Sequence, residues 1–444
     1  MSRLRSAATT ALSAASATSV DDVRVAPLVK SQWNQGEVGS KKVYNYYVPD
    51  GNLCGCVATA MAQIMRYHKF PSSVAPQSFI CYKGSSETPT SMKMIGGTYD
   101  WDTMPLVPGS SISDAEREMI GRICFDAGVS ARMHYGFRGS ESGAYGDFVH
   151  DPLKSVFGYA SAESYYTEQG SITGDIVESA ILANLDARYP VLLGISHVDS
   201  NGDVYNGHAI VADGYGYSDG RLYCHLNMGW SGSSDYWYAL PDIGTGYRFN
   251  TVDSVIYNIF PTNTGQLVTG RVTDPYGNPM EGVVIKGVST TNANGIYSAF
   301  TPDDVTISAE YEGWASQGTA ITTAASQSPY EIDWEELTFK GWYYVGNKWG
   351  NDIVVGNANG AKASVASLSP ATGGQQSESP ALSLSLSGTA GSWYNVERTY
   401  ELNNPQWETV ESFIIPSAGS RSVSLPVEYG TDSAFYRVVP KAAP

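Results

Sequence analysis

The stretch from Gly51 to Pro71 constrains the fold more than any other part of the chain, because its residue pattern predicts a loop that turns sharply into a helix. Apolar or half-apolar residues recur at positions 57, 60, 61, 64, 65 and 68, which lie on one face of a helix. Pro71 forbids continuation, and Gly55 is a joint without a Cβ immediately before Cys56. The pattern therefore predicts that Cys56 lies in the first turn of a buried helix.

The position of Cys56 favours a reactive thiol but does not establish one. Unpaired backbone N–H groups and the positive end of the helix dipole stabilise a thiolate at a helix N-terminus. That effect amounts to about 0.3–2 kcal/mol, or roughly one pKa unit, whereas a strongly activated thiol needs about 6 kcal/mol. A second partner, such as an imidazolium, is therefore required. The alternative is a small buried cysteine without chemistry, as most free cysteines are.

Length and composition limit the classes to which the chain can belong. Its 444 residues exceed a single core and predict about two to four domains. A net charge of -17 argues against nucleic acid or an anionic membrane as a partner. The chain lacks the run of about 18 apolar residues that a membrane span requires. Five cysteines are an odd number without zinc-ligand spacing, so we expect no disulfide framework, no metal and no cofactor.

Four regions follow one another along the chain. Residues 1–24 are rich in Ala, Ser and Thr and predict a disordered leader or precursor remnant, without a clear signal peptide. Residues 25–262 change to a period of two at Pro190, which predicts an α+β domain with an antiparallel sheet. Residues 266–340 and 341–444 contain short strands punctuated by turns, so we expect two all-β sandwiches of immunoglobulin-like architecture.

Periodicity also predicts individual elements within the second region. The predicted helices after the first are residues 113–127, with Ser113 in a capping arrangement, and residues 175–187. The predicted strands are residues 191–196, 208–215 and 222–227.

A thiol nucleophile needs a base, and the base needs a third group that fixes its tautomer. His68 ends the Cys56 helix, about 18 Å away by helical rise, and cannot be the base. His208 opens a strand, and Asn227 ends the next strand, where it can accept a hydrogen bond from the imidazole across a hairpin. His225 lies on the same face as Asn227 and is the weaker competitor.

The order Cys, His, Asn, with His208 152 residues after Cys56, is close to that of papain-like sites. Four ordered motifs make the match more specific. They are Trp33-Asn34-Gln35, Gly55 to Met65, Gly207-His208-Ala209 followed by Asp213-Gly214-Tyr215, and His225 to Trp230. Through these motifs, residues 25–262 resemble the streptopain family of papain-like cysteine peptidases. Residues 266–340 resemble the carboxypeptidase-regulatory-like β-sandwich module, and a second β-sandwich follows.

The resemblance implies a role for each matching position. Cys56 is the expected nucleophile and His208 the base that then protonates the leaving amine. Asn227 is expected to orient His208, and Gln35 to join the Cys56 backbone N–H in an oxyanion hole. The family also uses a Gly/Ser-rich loop near the substrate. We therefore expect substrate contacts from Ser140, Ser142, Gly143, Gly207 and Trp230.

Two departures from the family pattern bear on these expectations. The family usually has Trp directly after the Asn, shielding the His–Asn hydrogen bond, and here Met228 stands in that place. Family members also carry a long inhibitory prosegment, whereas 24 residues precede the domain in this chain. We therefore expect either a processed form or a different control of activity.

The sequence thus predicts a secreted cysteine endopeptidase that hydrolyses peptide bonds through a thioester acyl-enzyme. Its expected partners are protein or peptide substrates, with a cell-surface or glycan ligand for the sandwiches. An extracellular or cell-surface location in a bacterium follows from the family and the β-modules. Two alternatives stay open: a thiol acyltransferase or amidase that uses the same residues, and a catalytically impaired protease-fold binding or adhesion protein, for which Met228 is the only hint.

Overall fold

The structure is a computed structural model. It describes residues 16–85, 88–146, 149–167, 170–302, 304–323, 331–333, 338–340, 346–356, 364–370, 381–400, 406–426 and 434–441. The chain divides into two compact units. The first comprises the chain up to Val268 together with Phe300–Asp303 and Thr323–Trp349, and the second comprises Thr269–Ala299, Asp304–Thr322 and Gly350–Pro444.

The first unit contains helices in its N-terminal half and a large sheet in its C-terminal half. The α-helices are Cys56–His68 (α1), Asp114–Ser130 (α2), His150–Ser155 (α3) and Ala183–Asp186 (α4). Short 3₁₀ turns span Pro49–Gly51 and Trp101–Thr103, and a π-helical segment, Val177–Leu182, leads into α4. The helices predicted after Gly55 and from Ser113 are confirmed, and Ser113 forms the predicted capping box with Glu116. The helix predicted over residues 175–187 is instead a π-helical segment followed by the short α4. No helix in the part of the chain that the structure describes is long and apolar enough to span a membrane.

Strands of the first unit form one large sheet and several small ones. They are Ser16–Ala17 (β1), Asp22–Val25 (β2), Glu37–Val38 (β3), Lys41–Lys42 (β4), Ser73–Val74 (β5), Ser78–Lys83 (β6), Thr88–Lys93 (β7), Gly97–Thr98 (β8), His134–Arg138 (β9), Glu141–Gly143 (β10), Ser161–Tyr166 (β11), Val191–Val198 (β12), Val204–Ser218 (β13), Arg221–Asn227 (β14), Tyr236–Tyr238 (β15) and Thr251–Phe260 (β16). The large sheet has the order β1-β15-β14-β13-β12-β16-β11, and β2 pairs with β13. A four-stranded sheet has the order β10-β9-β6-β7.

The three strands predicted between residues 191 and 227 are confirmed and are longer than predicted. Strand β13 pairs antiparallel with β12, where His208 lies opposite Ile195, and antiparallel with β14, where Asn227 lies opposite Val211. This part of the first unit is therefore an antiparallel meander, as the period of two indicates.

The disordered leader predicted for residues 1–24 does not hold for the residues that the structure describes there. Ser16 and Ala17 pair with β15, and β2 pairs with β13. Strand β2 can lie close to β13 because Gly216 of β13 has no side chain. A Cβ at Gly216 would lie 2.6 Å from the Asp22 carbonyl oxygen. Residues 1–15 lie outside the described residues.

Helix α1 is enclosed by the first unit over most of its length. All residues from Val57 to Met65 are buried, including Thr59 and Gln63, which lie off the predicted apolar face. Both buried polar side chains form hydrogen bonds: the Thr59 hydroxyl donates to the Gly55 carbonyl, and the Gln63 amide donates to Asn227. The helix that carries Cys56 is thus a rigid part of the core.

Beyond β16 the described elements are all strands, which confirms the all-β prediction for this part of the chain. They are Gln266–Thr273 (β17), Val284–Ile285 (β18), Ser289–Thr290 (β19), Ile296–Thr301 (β20), Val305–Ile307 (β21), Ala309–Tyr311 (β22), Trp314–Ala315 (β23), Thr319–Ile321 (β24), Glu331–Asp333 (β25), Thr338–Lys340 (β26), Ile353–Val354 (β27), Ser364–Pro370 (β28), Ala381–Ser387 (β29), Trp393–Thr399 (β30), Glu408–Ile414 (β31), Ser420–Pro426 (β32) and Phe435–Pro440 (β33).

The second unit has two hydrophobic clusters. One contains Val272, Tyr297 and Ile307 and also includes Val355 and Trp393. The other is built by residues of β29 to β32 and the adjoining Ile415, and these strands belong, together with β28 and β33, to two three-stranded sheets, β28-β29-β32 and β31-β30-β33. The immunoglobulin-like architecture and the boundary at residue 340 stay predictions.

Candidate active site

Cys56 is the first residue of α1 and is half-buried, with Gly55 forming the turn before it. Gly55 has φ 92° and ψ 148°, a region of backbone conformation open essentially to glycine alone. A Cβ at this position would lie 2.7 Å from the Met133 sulfur and 3.1 Å from the Ser142 carbonyl oxygen. The glycine predicted as a joint is therefore required by both the backbone conformation and the space around it.

His208 lies beside the Cys56 thiol and changes its acidity. Burial by itself would raise the pKa of the Cys56 thiol. A hydrogen bond to the His208 side chain and the positive charge of that imidazole outweigh the burial, with help from the backbone N–H groups of Ala209 and Val57, so the pKa of Cys56 is lowered. The histidine that the helix terminus required as a second partner is therefore His208.

The third group of the site is a backbone carbonyl. His208 Nε2 lies 2.9 Å from the Met228 carbonyl oxygen, which can only accept, so Nε2 carries the proton and Nδ1 is left for Cys56. The Asn227 amide has other partners: its oxygen accepts from Gln63 Nε2 at 2.9 Å and its nitrogen donates to the Ser31 carbonyl at 2.8 Å. The direct bond predicted between Asn227 and His208 is therefore replaced by one from the next residue's backbone.

Asn227 still reaches His208 through one peptide group. Its side-chain oxygen accepts from the Gly229 N–H at 3.1 Å. That N–H belongs to the same peptide unit as the Met228 carbonyl, which holds His208. Asn227, which is 2% exposed, thus fixes the peptide that orients the imidazole and does not touch the ring. The Met228 side chain is fully buried, and its backbone supplies the acceptor whatever the side chain at this position.

Aromatic rings stack against the His208 imidazole. The Trp230 ring centroid is 4.8 Å away at an interplanar angle of 22°, and the Phe249 centroid is 5.9 Å away at 16°. Trp230 therefore lies against His208, and its predicted contact with a substrate stays a prediction. Phe249 was not predicted from the sequence, because it lies in a segment without a motif and reaches His208 only through the tertiary fold.

Gln35 lies next to the turn that carries Cys56. Its carbonyl oxygen accepts from the Cys54 N–H at 2.9 Å. The neighbouring Asn34 carbonyl lies 3.2 Å from the Thr59 hydroxyl and shares the single proton of that hydroxyl with the Gly55 carbonyl. These contacts connect the Trp33-Asn34-Gln35 motif to the start of α1, and the predicted role of the Gln35 side chain in an oxyanion hole stays a prediction.

The Gly/Ser-rich loop contacts the same turn from another direction. The Ser140 carbonyl accepts from the Leu53 N–H at 2.9 Å. Ser142 is buried, and its hydroxyl accepts from the Gly136 N–H at 3.4 Å. Gly143 packs near the Phe137 ring, whereas Gly207 is exposed and a Cβ there would meet nothing within 4 Å. Their predicted contacts with a substrate stay predictions.

The two histidines set aside by the sequence analysis have other partners. His225 Nδ1 lies 2.6 Å from an Asp213 oxygen, and the other Asp213 oxygen accepts from the Val29 N–H at 2.8 Å. His68 lies 3.1 Å from the Tyr159 hydroxyl, and burial lowers its pKa to about 3. Among His68, His208 and His225, it is therefore His208 that is positioned to exchange a proton with Cys56.

Comparisons with known proteins match this part of the chain. Residues 33–238 match the Peptidase C10 family. Streptopain of Streptococcus pyogenes serotype M1 is 30% identical over 223 residues, which cover 47% of this chain and 52% of streptopain. The thiol protease/hemagglutinin PrtT of Porphyromonas gingivalis is 29% identical over 299 residues, covering 64% of this chain and 32% of PrtT. The chain thus spans about half the length of streptopain and about a third of PrtT.

A solved structure of active wild-type interpain A, a cysteine protease of Prevotella intermedia, aligns with 53% of this chain and 95% of its own, at 27% identity and a TM-score of 0.45. The family match covers Cys56, His208 and the Gly/Ser-rich loop. Residues 33–238 of this chain are therefore a domain of the Peptidase C10 family.

Proposed function

We propose that the first unit is a cysteine peptidase in which Cys56 and His208 carry out the chemistry. The observation that supports this best is the pairing of Cys56 with His208. The half-buried Cys56 thiol has a lowered pKa, and the Met228 carbonyl fixes the tautomer of the His208 imidazole by accepting from Nε2. A thiolate–imidazolium pair supplies both a nucleophile and an acid at neutral pH.

The reaction follows from these two groups. The Cys56 thiolate forms a bond to the carbonyl carbon of the substrate, and the carbonyl electron pair moves to oxygen. When the oxyanion collapses, the C–N bond breaks, and the His208 imidazolium gives its proton to the leaving amine. A thioester remains on Cys56. Neutral His208 then takes a proton from water as the water attacks the thioester, which releases the carboxylic acid and restores the thiolate–imidazolium pair.

The oxyanion is proposed to lie between the Cys56 backbone N–H and the Gln35 side-chain amide. The first N–H groups of a helix have no partner within the helix, and the dipole favours negative charge at this end. The hydrogen bond from the Cys54 N–H to the Gln35 backbone carbonyl holds the backbone of Gln35 against the turn before Cys56, which supports this assignment. Removal of one such donor typically lowers kcat by about 10²–10³-fold, and we expect that loss for Gln35→Ala.

Asn227 is proposed to be a positioning residue, because its amide bonds to the peptide that holds His208 and not to the ring. Trp230 and Phe249 are proposed to shield the His208 imidazole by stacking against its ring. Ser140, Ser142, Gly143 and Gly207 are proposed to border the substrate. This division leaves the chemistry with two side chains.

Protein or peptide chains are the proposed substrates, and a bacterial extracellular or cell-surface location is proposed from the family. Streptopain and the thiol protease PrtT support the substrate class. The all-β second unit is proposed to tether or target the peptidase to a cell-surface or glycan ligand. Deletion of residues 350–444, all of which belong to the second unit, should leave the turnover of small substrates intact if this unit acts only as a tether.

One assay tests the proposed function. Wild type and Cys56→Ala are compared on a denatured protein and on dipeptidyl reporter substrates, with and without a thiol alkylator. We expect cleavage by wild type alone, abolished by alkylation. Cleavage that survives Cys56→Ala would overturn the mechanism. Absence of cleavage, with Cys56 no more reactive to iodoacetamide at about pH 6 than a free thiol, would support an inactive binding protein. Transfer of the acyl group to an added amine in preference to water would support an acyltransferase.

A further inference from the structure

The loop Met228–Asp235, which connects β14 to β15, holds His208 at two points. Its first residue accepts a hydrogen bond from His208 Nε2 at 2.9 Å. Its third residue, Trp230, stacks on the imidazole with a centroid distance of 4.8 Å. One contact fixes the edge of the ring and the other its face, so the orientation of His208 depends on the shape of this loop.

The Asp235 carboxylate closes the Met228–Asp235 loop. Its Oδ1 accepts from the Met228 N–H at 2.8 Å, which joins the last residue of the loop to the first. Inside the loop, the Ser233 N–H donates to the Trp230 carbonyl at 3.0 Å. The tip is attached to the Trp33 carbonyl through the Ser231 N–H at 3.1 Å. In the part of the chain that the structure describes, Asp235 is the side chain that accepts from the Met228 N–H, while the Met228 carbonyl bonds to His208.

The surroundings of Asp235 do not favour a charge. Burial raises the pKa of Asp235 to about 6, although the Met228 N–H and the nearby His225 lower it, and Asp213 contributes to the rise. A half-buried carboxylate in such a place loses solvation, and its hydrogen bond from the Met228 N–H offsets part of that cost. An ordinary loop-closing aspartate lies in water, as Asp100 does where it caps the turn at residues 101–103.

We propose that Asp235 is a positioning residue for His208, which acts by holding the Met228 backbone and thereby both contacts that the loop makes to the imidazole. The proposal rests on the proposed function of Cys56 and His208. Asp235 touches neither the substrate nor the reacting atoms. Without its carboxylate the Met228 backbone is free to shift, His208 loses a fixed orientation, and Cys56 loses part of the interaction that lowers its pKa.

The test compares Asp235→Ala with Asp235→Asn in the full chain. An asparagine keeps an oxygen that accepts from the Met228 N–H, and an alanine does not. Asp100→Ala is the matched control, because Asp100 also accepts backbone N–H groups, at 3.2 and 3.4 Å, but at a turn without contact to His208. Two readouts are measured: kcat and KM on a dipeptidyl reporter, and the pH midpoint of Cys56 alkylation by iodoacetamide.

For Asp235→Ala we expect kcat to fall about tenfold with KM unchanged, which is the mark of an interaction that matters in the transition state. The alkylation midpoint of Cys56 should rise by about one pH unit. Asp235→Asn and Asp100→Ala should stay within about twofold of wild type in kcat and keep its midpoint. If Asp235→Ala does not fold, Asp235→Ser takes its place, because a serine hydroxyl is too short to reach the Met228 N–H.

An unchanged kcat and an unchanged midpoint in Asp235→Ala would overturn the proposal. Equal losses in Asp235→Ala and Asp235→Asn would also overturn it, because the acceptor would then not be what matters. Failure of the proposed function is a separate result: it is seen in wild type itself, as a Cys56 that alkylates like a free thiol and a reporter that is not cleaved.

Discussion

Replacement of Gly55 by alanine tests how strictly the turn before Cys56 is determined. The backbone at Gly55, with φ 92° and ψ 148°, costs about 1–3 kcal/mol for a residue with a Cβ. The new Cβ would also lie 2.7 Å from the flexible end of Met133, which can move, and 3.1 Å from the Ser142 carbonyl, which is backbone. Overpacking of this kind adds about 1–3 kcal/mol. We therefore expect a loss of about 3 kcal/mol in the free energy of unfolding.

Activity should fall more steeply than stability. Relief of the contact with Ser142 moves the start of α1, and a displacement of about 1 Å at a reacting group typically costs on the order of 100-fold in rate. Urea unfolding of the full chain and kcat/KM on a dipeptidyl reporter measure the two effects. Gly158→Ala is the matched control, because Gly158 has φ 72° and a Cβ there would meet nothing within 4 Å.

The control separates backbone strain from the clash at the turn. Gly158→Ala should cost about 1–2 kcal/mol and leave kcat/KM unchanged. A Gly55→Ala variant with the stability of wild type, or with the same loss as Gly158→Ala and full activity, would refute the reasoning that the Cys56 turn is held by both conformation and space.

Three further predictions concern the groups around the site. His208→Ala leaves Cys56 with the burial that raises its pKa and without the partner that lowers it, so alkylation at about pH 6 should slow at least about tenfold; an unchanged rate would show that the helix terminus alone activates the thiol. Asp235 has a folded-state pKa of about 6 against a usual 3.8, so the folded protein binds this proton more tightly, and that stabilisation is present near pH 4 and lost as the pH rises through 6. As the pH rises from about 4 to 8, the free energy of unfolding of Asp235→Asn, measured with urea, should therefore increase relative to that of wild type by at most about 3 kcal/mol. A relative decrease over this range would contradict the sign. Gln63→Ala removes the buried amide that bonds to Asn227 and to the Trp33 N–H, so we expect a loss of about 2–4 kcal/mol in thermal unfolding together with lower kcat; full activity would show that the Asn227 peptide is held without it.

The position of His208 explains how the site accommodates Met228 in place of the family's tryptophan. The acceptor for the imidazole is the carbonyl of residue 228, which every amino acid provides. Shielding of the ring comes from Trp230 and Phe249, so the side chain at 228 is free to pack in the core. The departure at Met228 is therefore no argument for an inactive protein.

Local sequence determined the elements that carry the chemistry. The apolar spacing after Gly55 and the stop at Pro71 predict the helix that the structure shows from Cys56 to His68, since such spacing is set by the geometry of a helix. Ser113 and the change of period at Pro190 likewise predict elements that are found. The motifs around Cys56, His208 and Asn227 predicted which residues come together, because their types suit the reaction.

Tertiary structure alone decided how these residues are connected. The acceptor for His208 is a backbone carbonyl, and a carbonyl has no signature in a sequence, so Asn227 was assigned a direct bond that it makes only through the Gly229 peptide. Phe249 and Asp235 reach the site through packing and loop closure, which depend on residues far apart in the chain. The strand at residues 16–17 forms because β15 offers it an edge, and the strand at residues 22–25 forms because Gly214 and Gly216 let it approach β13, although the composition of these residues favours no structure.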